Sequence, residues 1–205
     1  MKIKKYHWFL LCVDIVVLIW SATFPHDYFT WFLEVAPFLL ALIVIALTYK
    51  RFPLSDLLYT LIALHAIVLM IGGHYTYAEV PLFSWLRDIG IFGRNNYDKV
   101  GHFVQGFVPA IAIREILLRT SALRRGKWLS FIVVSIALAF SALYELVEWW
   151  VGAFSGTAGD SFLGTQGYVW DTQSDMFLCL IGAVLSLLLL GRVHDHALQR
   201  LSFKK

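Results

Sequence analysis

Apolar residues in this chain come in runs of about twenty, the length an α-helix needs to cross a hydrocarbon core about 30 Å thick. The runs cover residues 6–24, 30–49, 56–73, 98–118, 128–152 and 172–191. They predict an all-α, polytopic membrane helical bundle with six transmembrane helices in one integral membrane domain, residues 1–205. The longest break, His74 to Asn96, contains Pro81, Gly90, Gly93 and the pair Asn95-Asn96. It reads as a loop carrying a short interfacial helix at 83–89. The first run follows Met1-Lys2-Ile3-Lys4-Lys5, as a secretory signal would, but Asp14 interrupts its core and no Ala-x-Ala site follows, so it is read as a retained span.

Composition points the same way. Hydrophobic residues make up 59% of the chain and charged residues 15%, against about 25% charged in ordinary soluble domains, and the mean hydropathy is +0.69. No separate soluble domain fits beside six spans. The formal charge of +3 comes from basic residues scattered through loops, which argues against a nucleic-acid partner and leaves the lipid bilayer as the main one. Cys12 and Cys179 both sit inside apolar runs and read as small packing residues.

The basic residues also set an orientation. With the N-terminus in the cytoplasm, 13 of the 17 lysines and arginines fall on the cytoplasmic side, and only Arg87, Arg94 and Lys99 lie opposite, with Arg114 inside the fourth span. The positive-inside rule therefore places both termini in the cytoplasm. Tyr6, Trp8, Tyr49 and Trp128 at one face, and Trp85, Trp149, Trp150, Tyr168 and Trp170 at the other, supply the two aromatic belts this arrangement requires.

Polar positions inside the spans carry the candidate chemistry. Asp98, His102 and Gln105 are spaced i, i+4, i+7 and fall within about 60° of one another on the fourth span. Ten of the 14 acidic residues lie at the periplasmic side, among them Glu145 and Glu148 ending the fifth span and Asp171 and Asp175 opening the sixth. Carboxylates crowded at low dielectric repel one another unless protons or a cation intervene. One shared site follows, with Asp98, His102 and Glu145 as acid–base candidates and His102, Glu148, Asp171 and Asp175 as ligands to a divalent metal ion such as zinc or manganese. His74 and Gln105 would orient a lipid or small-molecule ligand. No HExxH or CxxC spacing accompanies them, and plainer roles stay open: helix capping by Asp98 and Asp171, a hydrogen-bonded His102, carboxylates sharing protons.

Pro109 removes the donor for the carbonyl of Gln105, which predicts a hydrated pocket reaching roughly 15 Å below the start of the fourth span. Residues 159–170 are rich in glycine and read as a lid or a turn-rich connection. On the inner side, where only Asp14, His65, Arg114 and Glu115 are placed to form an exit path, Asp14 and Arg114 are expected to form an ion pair between the first and fourth helices.

The motifs Gly72-Gly73-His74-Tyr75-x-Tyr77, Asp98-Lys99-x-x-His102-Phe103, Glu145-x-x-Glu148-Trp149 and Gly164-Thr165-Gln166-Gly167-x-x-Trp170-Asp171-x-Gln173-x-Asp175 resemble the YjdF family of bacterial inner-membrane proteins across nearly the whole chain. The resemblance implies an inner-membrane, multi-pass protein and no particular reaction. In residue type and order, Lys99-x-x-His102 followed by Glu145 and Asp175 is also loosely similar to VanZ-like membrane proteins, although no arginine lies between Glu145 and Asp175. Three functions fit: a membrane enzyme hydrolysing a lipid or envelope precursor at the periplasmic side, a cation- or proton-coupled small-solute carrier, and a structural membrane partner.

Overall fold

The computed structural model of the chain describes residues 3–155 and 165–202. It is helical throughout that range: α1 Lys5–Ala22, α2 Tyr28–Thr48, α3 Asp56–Tyr75, a 3-10 turn Tyr77–Glu79, α4 Pro81–Asp88, α5 Tyr97–Thr120, α6 Lys127–Ser155 and α7 Asp171–Ser202. Helices α2, α3, α5, α6 and α7 are long and apolar enough to cross a membrane. The remaining long helix, α1, has 18 residues and lies along α3. This is the polytopic helical bundle the apolar runs predict. The interfacial helix is α4, and the last helix continues past 191 to Ser202, because the residues that follow the apolar run are good helix formers with polar partners on α5.

Local chemistry fixes where helices begin. Asp27 caps α2, its carboxylate accepting the Thr30 N–H at 2.6 Å; that backbone donor holds the carboxyl below its ordinary range. Ser55 caps α3 by accepting from the Leu58 N–H. Pro81 opens α4 at a position where its missing N–H costs nothing. Of the two acidic residues open to capping roles, Asp98 lies inside the first turn of α5, after Asn96 at the cap position, and accepts the Lys99 N–H at 2.7 Å, while Asp171 is itself the first residue of α7.

Helix α5 is the hub, packing on α3, α6 and, most extensively, α7. Its contact with α7 is made backbone to backbone. A Cβ at Gly106 would overlap the Cys179 carbonyl, and one at Gly182 would overlap the carbonyl of Phe103. Small residues at a crossing let membrane helices approach this closely, where packing replaces the hydrophobic effect as the driving force. Two apolar clusters fill the interior. Ala110, Leu129, Val133, Ala137 and Ala183 join α5, α6 and α7, while Val35, Phe38, Ala66 and Met70 join α2 and α3. The outward faces are apolar too, with Phe9, Val16, Leu40, Leu47, Phe131 and Leu188 all exposed, the surface that lipid covers.

The expected Asp14–Arg114 ion pair is not formed. Arg114 bonds Asp195 at 2.7 Å and His194 at 2.8 Å, both on α7. Next to it, Glu115 accepts from the Ser55 N–H and hydroxyl, from Arg119 and from His194. Sequence depth placed Asp14 and Arg114 at one level, but α1 lies on α3 rather than α5, so the two are separated around the bundle.

Candidate functional site

The α3–α5 loop and the α7 N-terminus meet at one end of the bundle, and a cavity of about 100 Å³ lies beneath them. Helix α5 contributes Asp98, His102 and Gln105 from a single face, as its i, i+4, i+7 spacing predicts. Glu34 enters from α2, His65 from α3, Tyr144 and Glu148 from α6, and Asp171 and Asp175 from α7. At about 30 Å³ per water, the space suits a hydrated ion or a small polar group.

Tyr77 is set into the wall by the turn after α3. Thr76 adopts φ 49° there, an uncommon conformation for a residue with a Cβ, and it swings the Tyr77 ring between Gly72 and Gly101. A Cβ at either glycine would collide with that ring, so both positions need glycine for a close approach. Burial, and after it negative neighbours led by Glu34, push the Tyr77 hydroxyl well above its ordinary range, so it stays a donor. Tyr144 donates to Glu34 at 3.2 Å.

The acidic groups divide into two sets. In the first, Asp98, Asp171 and Asp175 surround two cations. Arg94 bonds Asp98 and Asp171 at 2.6 Å each, and Lys99 bonds Asp171 and Asp175 at 2.7 Å each. Arg94 also donates to the Thr165 carbonyl and to Asn96, and the Tyr168 ring covers both cations, 5.0 Å from Arg94 and 5.5 Å from Lys99. Asn95 anchors this loop: it is fully buried, its amide donates to Val80 and Ser84, and its backbone pairs with the Gln166 side chain in both directions. These three aspartates therefore have their charge partners within the protein.

The second set does not. His102, Glu145 and Glu148 each offer a ligand atom, and these atoms lie within 4.8 Å of one another. Glu145 is 7% exposed and its Oε1 is buried without a hydrogen bond; the nearest imidazole nitrogen is 3.7 Å away. Gln105 Oε1 lies 3.0 Å from His102 Nδ1. With the proton on Nδ1, Gln105 accepts it and Nε2, its lone pair free, lies 3.9 Å from Asp175 Oδ1, while Nδ1 is the nitrogen on the Glu145 side. Glu34 and Glu148 thus share one small cavity with two histidines, Glu145 lies beside His102 and Glu148, and none of the three glutamates forms a salt bridge with a lysine or arginine among the described residues.

Of the residues singled out from sequence, the structure gathers Asp98, His102, Gln105, Glu145, Glu148, Asp171 and Asp175. His74 is elsewhere: its Nδ1 lies 3.0 Å from the Ser21 carbonyl and its ring stacks 4.5 Å from Trp20, tying α3 to the α1–α2 corner. His65, expected on the inner side, instead lines the cavity, its Nε2 buried and unbonded. Glu34, Tyr77, Arg94 and Lys99 were not expected as parts of the site. In the loop read as a lid, 159–164, with Asp160, lie outside the described residues, while Thr165, Gln166 and Tyr168 dock on the Arg94 loop.

Residues 6–196 match a family described as "Predicted membrane protein (DUF2238)". The chain is also 49% identical over 185 residues to the inner membrane protein YjdF of Escherichia coli (strain K12), covering 90% of this chain and 88% of that protein. No solved structure matches it. A family match over nearly the full length, joined to this identity and to a bundle of lipid-length helices, means that the chain belongs to the DUF2238 family of multi-pass membrane proteins.

Proposed function

We propose that this protein is a metal-dependent hydrolase of the inner membrane, with both termini cytoplasmic and its site open to the periplasmic side, acting on a lipid or envelope precursor. The observation that carries the reading is the unequal neutralisation of the two acidic sets. Arg94 and Lys99 answer Asp98, Asp171 and Asp175, whereas His102, Glu145 and Glu148 converge with an orphaned carboxylate oxygen. A buried carboxylate oxygen without a partner is costly even where Thr172 bonds the other end of the group, and a nitrogen–oxygen donor set of this kind suits zinc or manganese. A divalent ion held there would acidify a water and polarise a substrate carbonyl or phosphoryl oxygen. Glu34, across the cavity and held by the Tyr144 and Tyr77 hydroxyls, is the base placed to take the water's proton.

Asp171 and Asp175 lose their proposed role as ligands in this account. Their oxygens hold Lys99 and Arg94, and with Asp98 they fix the α5–α7 gap that frames the cavity. A carrier needs a polar path out of the inner half, and there Arg114, Glu115 and His194 are closed into one hydrogen-bonded network among the described residues. That network favours the enzyme reading.

The test is thermal melting of purified protein with and without chelator. His102→Ala and Glu148→Gln should each remove the stabilisation a bound ion gives, their combination should cost little more than either alone, and chelator should reproduce the loss in the unmutated protein. Additive losses that chelator does not touch would overturn the proposal.

A further inference from the structure

A second and larger cavity, about 340 Å³, lies between α1, α2 and α3, away from the site above. That size is at the lower end of the range of about 300 to 1,000 Å³ for small-molecule sites. Its walls are aliphatic and aromatic, with Leu11, Phe38, Leu42, Ile45 and Ile62 among them. His7 and Lys50 stand among them, and one acidic residue enters the wall. Asp14 lines the cavity, is 6% exposed, and its Oδ1 is buried with no hydrogen bond.

Lys50, exposed at the rim, forms no ion pair with Asp14, and the other nearby cations are committed elsewhere. Lys4 bonds both oxygens of Asp56, and His7, at the rim, bonds Asp56 through Nε2 and Tyr49 through Nδ1. Arg114, the basic residue at a similar depth in the sequence, is bound to α7. A carboxylate kept at this depth without a partner is expensive in a bilayer, and none of the donors that line the cavity, His7, Tyr49, Lys50 and Tyr59 among them, bonds its buried Oδ1. An acyl chain entering from lipid would fill the volume and leave the carboxylate unanswered. The missing complement is a hydrogen-bonding cation attached to an apolar body.

We propose that the α1–α2–α3 cavity is a binding site for a lipophilic amine, whose apolar body packs against Leu11, Phe38 and Leu42 and whose ammonium pairs with Asp14. The site is independent of the hydrolytic reading, since it shares no residue with the cavity around His102.

The experiment compares decylamine, decanol and decanoate, three probes with one chain and different heads, as ligands of the full-length protein in lipid nanodiscs, read by thermal melting. Decylamine should raise the melting temperature saturably, with a half-saturating concentration about tenfold below that of decanol, the factor that about 1.4 kcal/mol from one charge-assisted hydrogen bond supplies. Decanoate should have no saturable effect, because it places a second carboxylate beside the first. Asp14→Asn keeps the shape and removes the charge, and should abolish the preference for decylamine over decanol. Equal responses to decylamine and decanol in the unmutated protein, or a preference that survives Asp14→Asn, would overturn the proposal; the first comparison stands even if the variant does not fold.

Discussion

Gly106→Leu should leave no stably folded protein. A Cβ alone at this position overlaps the backbone carbonyl of Cys179, and the Gly182 contact on the facing helix has no room to retreat because its own Cβ would strike Phe103. Flexible side chains can move aside from an added group, but two helix backbones move only as whole helices. Overpacking in ordinary cores costs about 1 to 3 kcal/mol, and the loss here should exceed that range because the α5–α7 gap must widen along its length. The same gap positions Asp98 and His102 opposite Asp171 and Asp175, so any protein recovered should also have lost the ion pairs at its end. Size-exclusion profiles and melting curves of Gly106→Leu and Gly182→Leu check this against Gly191→Leu, where nothing lies within 4 Å of an added Cβ. A Gly106→Leu protein that melts like the parent would show that the helices are not in backbone contact.

Arg94→Met should be the most damaging change of a charged residue at the cavity end of the bundle. The guanidinium answers Asp98 and Asp171 together, and its side chain is 14% exposed. Removing one partner of a buried pair costs about 3 to 5 kcal/mol because the remaining charge stays desolvated. Arg87, on α4, pairs with Asp88 at 42% and 63% side-chain exposure, and Arg87→Met should cost no more than about 1 kcal/mol. Adding Asp98→Asn to Arg94→Met should restore part of the loss by deleting the orphaned charge. If the single and double variants melt alike, Arg94 does not neutralise Asp98 in the folded protein.

How far the sequence could be read follows from what each signal encodes. Run length reports whether a helix can span lipid, so α2, α3, α5 and α6 were legible to within a few residues. The end of α7 was not, because hydropathy falls where the helix continues beyond the apolar run. Helical periodicity placed Asp98, His102 and Gln105 on one face, and the depth of Glu145, Glu148, Asp171 and Asp175 placed them at the same end. Depth says nothing of direction around the bundle, and for that reason it pairs Asp14 with Arg114, which bonds α7 instead, and sends His74 to a cavity it does not reach. Arg94 and Lys99 had a usable signal. Three aspartates entering lipid needed cations, and with Arg87 these two were the only basic residues on that side. Glu34 and Tyr77 had none beyond their depth, since the positive φ at Thr76 that turns Tyr77 inward depends on the glycines it packs between.

The central claim is that His102, Glu145 and Glu148 hold a metal ion while Asp98, Asp171 and Asp175 hold Arg94 and Lys99. Elemental analysis of protein purified without added chelator tests it most directly. The account predicts one divalent ion per chain in the unmutated protein, a loss of most of it in His102→Ala and in Glu148→Gln, and retention in Asp171→Asn. Protein that folds, matches the parent in size and carries no stoichiometric metal, or that loses its metal in Asp171→Asn while keeping it in His102→Ala, would contradict it.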